Sequence, residues 1–554
     1  MMEKRVVVFL ILSLAIIFGY DYALKEMGWL PQPISTPESS LPSESGQTSQ
    51  STASGPSASS LPIPPDATGQ NQSSPILPGQ TSQSAPAEEV VSIETNLYRA
   101  KISTRGATLT SWELKRYQQT ATETAPVQLV RQGAKFAGPL AIATDDAGLT
   151  KTLSDGLYTV SRDFSNLDST HPVGHLTFRF HDAVKNLLLE KTLTFHFDSY
   201  QVDIAIKTAG LDNDLTVGLG TNFGIVEWGD GLIGQIGVAS LVDGKVDKDA
   251  PEAESERKGA VQWLALQDKY FLAVLIPAQA SSTTVKKEGD KLLSGGVRFP
   301  APSSGSVLNL RLYAGPKEYD TLHAMQIGIE DTIDFGWFVF GSWSVVKAVA
   351  KPIFYVLRFI NEYTHNYGVT IILLTMMLKM LFVPLQYKSY KSMKQMQVIQ
   401  PKVLAIQEKF KEDRDRLNKE LIKLYRDHKV NPVGGCLPMV LQMPVFVALF
   451  NILYMTIDLR QAPFMAWITD LSVQDPYYVL PIIMGVTMVI QQKITPTTMD
   501  PTQAKIMLML PAFMTFLFIN FPAGLVLYWL TNNVLTISQQ LITDRVIFAN
   551  KPVI

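Results

Sequence analysis

The side chains best suited to chemistry in this chain sit in apolar surroundings. Lys379 interrupts the apolar run 367–385, and a cation inside such a run costs at least about 2.5 to 3.5 kcal/mol on insertion scales, so it must face water, a polar partner or the interface. Thr375 lies four residues earlier, on the same helical face. Gln442 interrupts a second run, 433–457. In the last run Tyr528, Asn532, Thr536 and Gln540 recur at intervals of four, with Trp529 and Asn533 alongside. Polar groups from several helices can line one hydrated cavity with a fixed positive charge, which suits non-covalent attraction of anionic groups rather than bond making. Two plainer uses compete with that reading. Asn, Gln and Thr in spans often serve helix packing, and Lys379 lies about 9 Å of helix from Leu385, near enough to snorkel. The cavity is the preferred reading.

Chemistry of the soluble kind finds no support. Glycine-rich phosphate loops and zinc-spaced histidine pairs are absent, and His171, His175, His181 and His196 lie in or beside strand-like segments with no matching carboxylate pattern. Structural or surface roles suit them better. The single cysteine, Cys436, excludes a disulfide framework and any multi-cysteine metal site. No metal and no cofactor is expected. Lys and Arg total 48 against 50 Asp and Glu, a net charge of −2 that excludes a whole-chain attraction to nucleic acid.

The elements that must position these groups follow from composition. Charged residues make up 18% of the 554, below the roughly 25% of soluble proteins, so hydrophobicity is concentrated in segments that suggest membrane spans. Residues 1–30 carry Lys4 and Arg5 before the apolar run 6–19. No small-x-small pair follows that run, which favours an uncleaved anchor over a signal peptide. Residues 31–89 are rich in Ser, Pro, Gln and Gly without any Lys or Arg, and are expected to form a disordered linker. From residue 90 to 334, period-two alternation, as in Leu193, Phe195 and Phe197 or Tyr200, Val202, Ile204 and Ile206, predicts an all-β sandwich. Residues 335–366 pattern as an amphipathic helix lying in the interface, with Phe338, Phe340, Trp343, Val346, Val349, Ile353 and Leu357 on its apolar face. The second span is 367–385, and 433–545 holds spans three to six, before a short tail, 546–554. One of these spans, 506–521, is about 24 Å long against a core of about 30 Å, so it is expected to thin the bilayer around it.

Charge supports this topology. Residues 386–432, expected to be a helical hairpin, hold twelve Lys and Arg against six Asp and Glu, a net of +6. The loop 458–476 has only Arg460 against Asp458, Asp470 and Asp475. The positive-inside rule then puts both termini and the basic hairpin in the cytoplasm, and the β-domain on the far side. A solvated loop near acidic lipid is the plain reading of the hairpin; reception of incoming substrate or the ribosome is the functional one.

Several motifs carry a family resemblance. The run Asn431-Pro432-Val433-Gly434-Gly435-Cys436-Leu437-Pro438, followed by Gln442-Met443-Pro444, resembles the signature third span of the YidC membrane-protein insertases, relatives of the Oxa and Albino proteins. Leu459-Arg460-Gln461-Ala462-Pro463-Phe464, Thr495-Pro496-Thr497-Thr498-Met499-Asp500-Pro501 and Phe521-Pro522-Ala523-Gly524-Leu525 are similar to the same family. In the β-domain, Gln267-Asp268-Lys269-Tyr270-Phe271 and Tyr313-Ala314-Gly315-Pro316-Lys317 resemble its Gram-negative form.

The resemblance implies a six-span inner-membrane protein: a five-span insertase core whose groove opens to cytoplasm and lipid, plus a periplasmic β-supersandwich similar to galactose-mutarotase folds. It implies a non-enzymatic insertase and chaperone that needs no cofactor and works on newly made membrane proteins, alone or with the Sec translocon. Lys379 stands where the family usually has arginine, while Thr375, Gln442 and Trp529 match groove or substrate-contacting positions. Lysine keeps the charge but loses the planar bidentate fork. The stretch after Arg545 is short, unlike members whose long basic tails hold the ribosome. The competing function is a transporter or channel with Lys379 as an anion site, against which the spans show no inverted repeat; a sugar-binding envelope module is a third.

Overall fold

The computed structural model describes residues 87–120, 125–130, 138–226, 236–248, 253–303, 305–333, 344–410, 413–428, 430, 437–495 and 501–548. The N-terminal anchor, the linker up to residue 86, Phe338, Phe340, Trp343, the motif stretches 431–436 and 496–500, and the end of the tail lie outside them.

Among the described residues, 90–316 form three antiparallel sheets of nine, five and four strands. The nine-stranded sheet follows the order Lys245–Asp247, Gly237–Val242, Val261–Gln267, Phe271–Pro277, Val307–Pro316, Gln201–Ala209, Leu187–His196, Val173–Asp182, Thr159–Arg162. Its outer strands alternate as the sequence predicts: in Leu187–His196, residues Leu187, Leu189, Leu193 and Phe195 are buried while their neighbours are not. Phe271–Pro277 departs from the alternation and is buried throughout. It lies at the centre of the stack: strands Leu215–Thr221 and Leu292–Phe299 of the five-stranded sheet pack on it, and Tyr117 of the four-stranded sheet sets its ring edge-on to Phe271 at 5.6 Å. A continuous apolar run is what a strand covered on both faces requires. Trp112 closes the four-stranded sheet over the same layer, stacked on Tyr98 at 4.0 Å and donating from Nε1 to the Ala314 carbonyl at 3.1 Å. The expected all-β sandwich is therefore present, with a third small sheet added to its two main layers.

One buried position in Leu187–His196 is a lysine. Lys191 is fully buried, and its Nζ donates to the carbonyls of Ala107 at 2.9 Å and Leu140 at 2.7 Å, tying the strand to two neighbouring loops.

Seven helices follow among the described residues. Counting the short Ala147–Asp155 and Tyr319–His323 as α1 and α2, they are α3 (Ser344–Thr364), α4 (Tyr367–Lys409), α5 (Arg414–Asp427), α6 (Leu437–Met455), α7 (Val479–Ile494), α8 (Pro501–Phe518) and α9 (Ala523–Ile542), which runs on into a wider turn, Thr543–Phe548. The segment 367–385 and the first arm of the basic hairpin are one helix, α4, with Pro384 and Pro401 both inside it. Helix α3, read from sequence as an amphipathic helix lying in the interface, buries Val346, Ala350, Ile353, Phe354 and Leu357 and packs on α6 and α4.

Only α4, among the described residues, is long and apolar enough by itself to cross a membrane; 441–455, 479–494 and 509–518 are shorter apolar helices. The expected six spans thus have one clear representative here. Large apolar side chains stand bare along these helices, among them Leu381, Val486, Met509 and Phe516. Water would not tolerate such continuous faces, and lipid would.

The sandwich is fastened to the helices by motifs quoted above. Lys269 lays its ammonium over the Tyr454 ring, 3.7 Å from the centroid. The Arg460 guanidinium lies 5.4 Å from the Phe271 ring and donates to the Gln119 carbonyl at 2.8 Å, while Gln461 donates to that of Gln118 at 2.9 Å. Arg358 of α3 pairs with Asp320. Asp268 shapes the turn behind Lys269, accepting from the backbone of Tyr270, Phe271 and Val226, and its carbonyl accepts from Lys317.

Burial pushes Lys191 from its ordinary 10.5 down to about 7. Between those values the unfolded chain binds a proton that the folded chain does not, so stability rises with pH from about 7 to 10.5 and is flat below. Thermal unfolding in detergent micelles, followed by β-sheet circular dichroism, should show the parent's midpoint climbing from pH 7 to pH 10. Lys191→Met should remove most of that climb. An unchanged slope in the variant would show that another group sets the pH dependence.

Candidate functional site: a polar cluster around Lys379

Helix α4 begins at a sharp cap: the Asn366 side chain accepts from Val369 N at 3.1 Å and donates to the Phe464 carbonyl at 2.9 Å. Phe464 presses against Gly368, where an added Cβ would fall 2.0 Å from the ring, so only glycine fits. The loop carrying Phe464 also feeds α9. Carbonyls of Val473 and Leu471 accept from Ala523 N at 2.7 Å and Gly524 N at 2.9 Å, satisfying donors that every helix start leaves open. Asp475, fully buried, accepts from Trp467 Nε1 and from the backbone of Tyr477 and Leu480. At the sandwich end, then, α4, α7 and α9 are closed by a hydrogen-bonded loop built from the Leu459–Phe464 and Phe521–Leu525 motifs.

Roughly 18 Å further along α4, at 1.5 Å per residue, the packing turns polar. Lys379 is only 8% exposed. Its Nζ donates to Asn532 Oδ1 at 3.0 Å and to Thr536 Oγ1 at 2.8 Å, both on α9. Gln442 of α6 reaches the same Asn532 oxygen at 3.5 Å, and its side chain is within hydrogen-bonding reach of the Tyr528 hydroxyl. Three helices thus converge on one ammonium. Both acceptors of Lys379 are neutral, so the charge is solvated without being cancelled, the condition for it to act on an incoming anion. A snorkelling lysine would extend away from such partners; this one is held in place.

The remaining candidates sit apart from the ammonium. Tyr528 is buried, with its ring 6.3 Å from Phe446, and Trp529 packs edge-on to Phe446 at 5.0 Å and Phe518 at 4.8 Å. These aromatics pack together on the loop side of the cluster. Thr375, on the Lys379 face, turns its hydroxyl back to the Ile371 carbonyl at 2.6 Å. Asn533 points elsewhere, donating to Thr487 of α7 at 3.2 Å. Thr536, a direct partner of Lys379, belongs to the four-residue series on α9 that the sequence singles out.

Comparison with known proteins joins these two halves. Residues 90–356 match the model of the YidC periplasmic domain, and 359–550 match that of the 60Kd inner membrane protein. The membrane protein insertase YidC of Geotalea daltonii is 38% identical over 97% of this chain and 98% of its own length. That of Citrifermentans bemidjiense is 37% identical over 99% and 100%. Among solved structures, an active YidC insertase with its first transmembrane domain resolved covers 82% of this chain and 92% of its own, at 16% identity and a TM-score of 0.35. A galactose mutarotase-like protein from Lactobacillus casei covers 41% of this chain and all of its own, at 14% identity and a TM-score of 0.28. With both family models matched in order and full-length relatives at this identity, the chain belongs to the YidC family of inner-membrane protein insertases, in the form that carries a periplasmic domain.

Proposed function

We propose that the cluster of Lys379, Asn532, Thr536 and Gln442 is the hydrophilic site through which this insertase draws polar parts of a substrate into the membrane. The observation that carries this reading is the ammonium itself, buried and, among the described residues, bonded only to neutral oxygens. Such a charge attracts a carboxylate on the outward-moving tail of a substrate. At about 4 Å and an effective dielectric near 20 the attraction is on the order of 4 kcal/mol before desolvation is subtracted, enough to hold a segment briefly and too little to trap it. Nothing in this cycle makes or breaks a covalent bond, so the protein works as a non-enzymatic insertase and chaperone without a cofactor.

The rest of the reading assigns a role to each part. The anchor plus α4, α6, α7, α8 and α9 give six crossings, with both termini in the cytoplasm. The closed loop at the periplasmic end makes the site accessible from cytoplasm and lipid only, and Tyr528, Trp529 and Phe446 form its floor. The basic hairpin receives newly made membrane proteins or the ribosome, and the protein works alone or with the Sec translocon. Asn533 ties α9 to α7 beside the site.

Two experiments test the charge. Insertion into proteoliposomes of paired substrates, one with an acidic outer tail and one neutralised, should be preserved by Lys379→Arg. Lys379→Ala and Lys379→Glu should slow the acidic member selectively; equal rates for Lys379→Glu and the parent would remove the site from the mechanism. Asn532→Asp separates charge from shape. It keeps the side-chain outline but neutralises the ammonium, and should slow the acidic substrate about fivefold to tenfold while leaving the neutral one unchanged. Loss of both substrates alike would point to packing instead.

A further inference from the structure

The polar stripe of α9 does not stop at Thr536. Its four-residue series continues through Gln540 to Asp544, and beyond the Lys379 cluster it meets α4 a second time. Asp544 Oδ1 pairs with Lys394 Nζ at 2.9 Å, and Oδ2 accepts from the Tyr390 hydroxyl. The Lys394 ammonium also lies 5.7 Å from the Tyr390 ring centroid. Helices α4 and α9 are therefore joined at two points along one seam, Lys379 with Asn532 and Thr536, then Tyr390 and Lys394 with Asp544.

Between those two points lies Pro384. A proline inside a helix removes the hydrogen bond to the carbonyl four residues back and crowds it, which makes the site a hinge. Everything in α4 beyond the hinge belongs to the basic hairpin, and the 25 residues that follow Pro384 up to Lys409, Pro401 among them, form an arm of about 38 Å. A bend of about 20° at its base would carry the tip roughly 13 Å. The first junction lies before the hinge and cannot prevent this. The second lies just past it, and can.

We propose that Asp544 is a positioning residue for insertion: by gripping Tyr390 and Lys394 it locks α4 across Pro384 and holds the basic hairpin in a fixed orientation below the Lys379 site. The functional half of this rests on the reading that the hairpin receives substrate; the geometric half does not.

Pulsed electron paramagnetic resonance on the full chain in lipid nanodiscs separates the two halves. In a Cys436→Ser background, spin labels at Lys419→Cys on α5 and Lys493→Cys on α7, both exposed, report the hairpin against the core. The parent should give one narrow distance distribution. Asp544→Lys, which repels Lys394, should broaden or shift it by on the order of 10 Å. The exchanged pair, Lys394→Asp with Asp544→Lys, should restore it. Insertion rates should follow the same order, falling about threefold in Asp544→Lys and recovering in the exchange. A distribution that stays narrow in Asp544→Lys, or a broadening that the exchange fails to reverse, overturns the lock. Broadening with insertion at the parental rate would leave the lock in place but overturn its positioning role, and the Lys379 site would be untouched by that result.

Discussion

A cation buried between helices can be kept only if something replaces its water, and in this protein two neutral oxygens on one neighbouring helix do so. That constraint organises much of the membrane half. Lys379 forces α4 and α9 into register, because Asn532 and Thr536 must both face it from successive turns. Asn532 in turn holds Gln442, which brings α6 to the same point. A carboxylate in place of either oxygen would have satisfied the ammonium more strongly and left nothing for a substrate. The choice of amide and hydroxyl preserves the charge.

A site of this kind needs a closed end, and the closure depends on backbone rather than charge. Gly368 lets Phe464 sit against α4, and the loop carbonyls of Leu471 and Val473 complete the start of α9. The sandwich adds a second fastening from outside through Lys269, Arg460 and Gln461. The β-domain is thus held against the same loop that closes the helices. These docking contacts are what orient it.

Much of this could be read from residue order, for identifiable reasons. Strands such as Leu187–His196 were visible because one covered face imposes period two, and Lys379 was visible because a charge in an apolar run is costly. The fully buried strand Phe271–Pro277 gave a continuous apolar run that pattern alone could not place between layers. Lys191 shares the parity of Leu193 and Phe195, so alternation alone put it on the covered face, but only the loops that cover it show which carbonyls replace its water. The helix runs on past Leu385 because hydropathy ends where the lipid ends, while a helix ends where its hydrogen bonds do. Thr536 and Asp544 belonged to a legible four-residue series, but only the partner helix shows which members are used. Thr375 entered the candidate set through the helical face it shares with Lys379 and a groove position of the family, and Asn533 by lying alongside the four-residue series; in the structure their side chains bond the Ile371 carbonyl and Thr487.

The central claim is that substrate enters beside the Lys379 cluster because of that charge. Site-specific photocrosslinking from an arrested acidic substrate tests it most directly, with a photoreactive residue placed at Gln442 beside the cluster or at Phe516 on the exposed apolar face of α8. The account predicts strong crosslinks from Gln442 that weaken when the substrate's acidic residues are neutralised, with Phe516 weak and indifferent to them. Equal crosslinking from both positions, or crosslinks from Gln442 that ignore substrate charge, would contradict it.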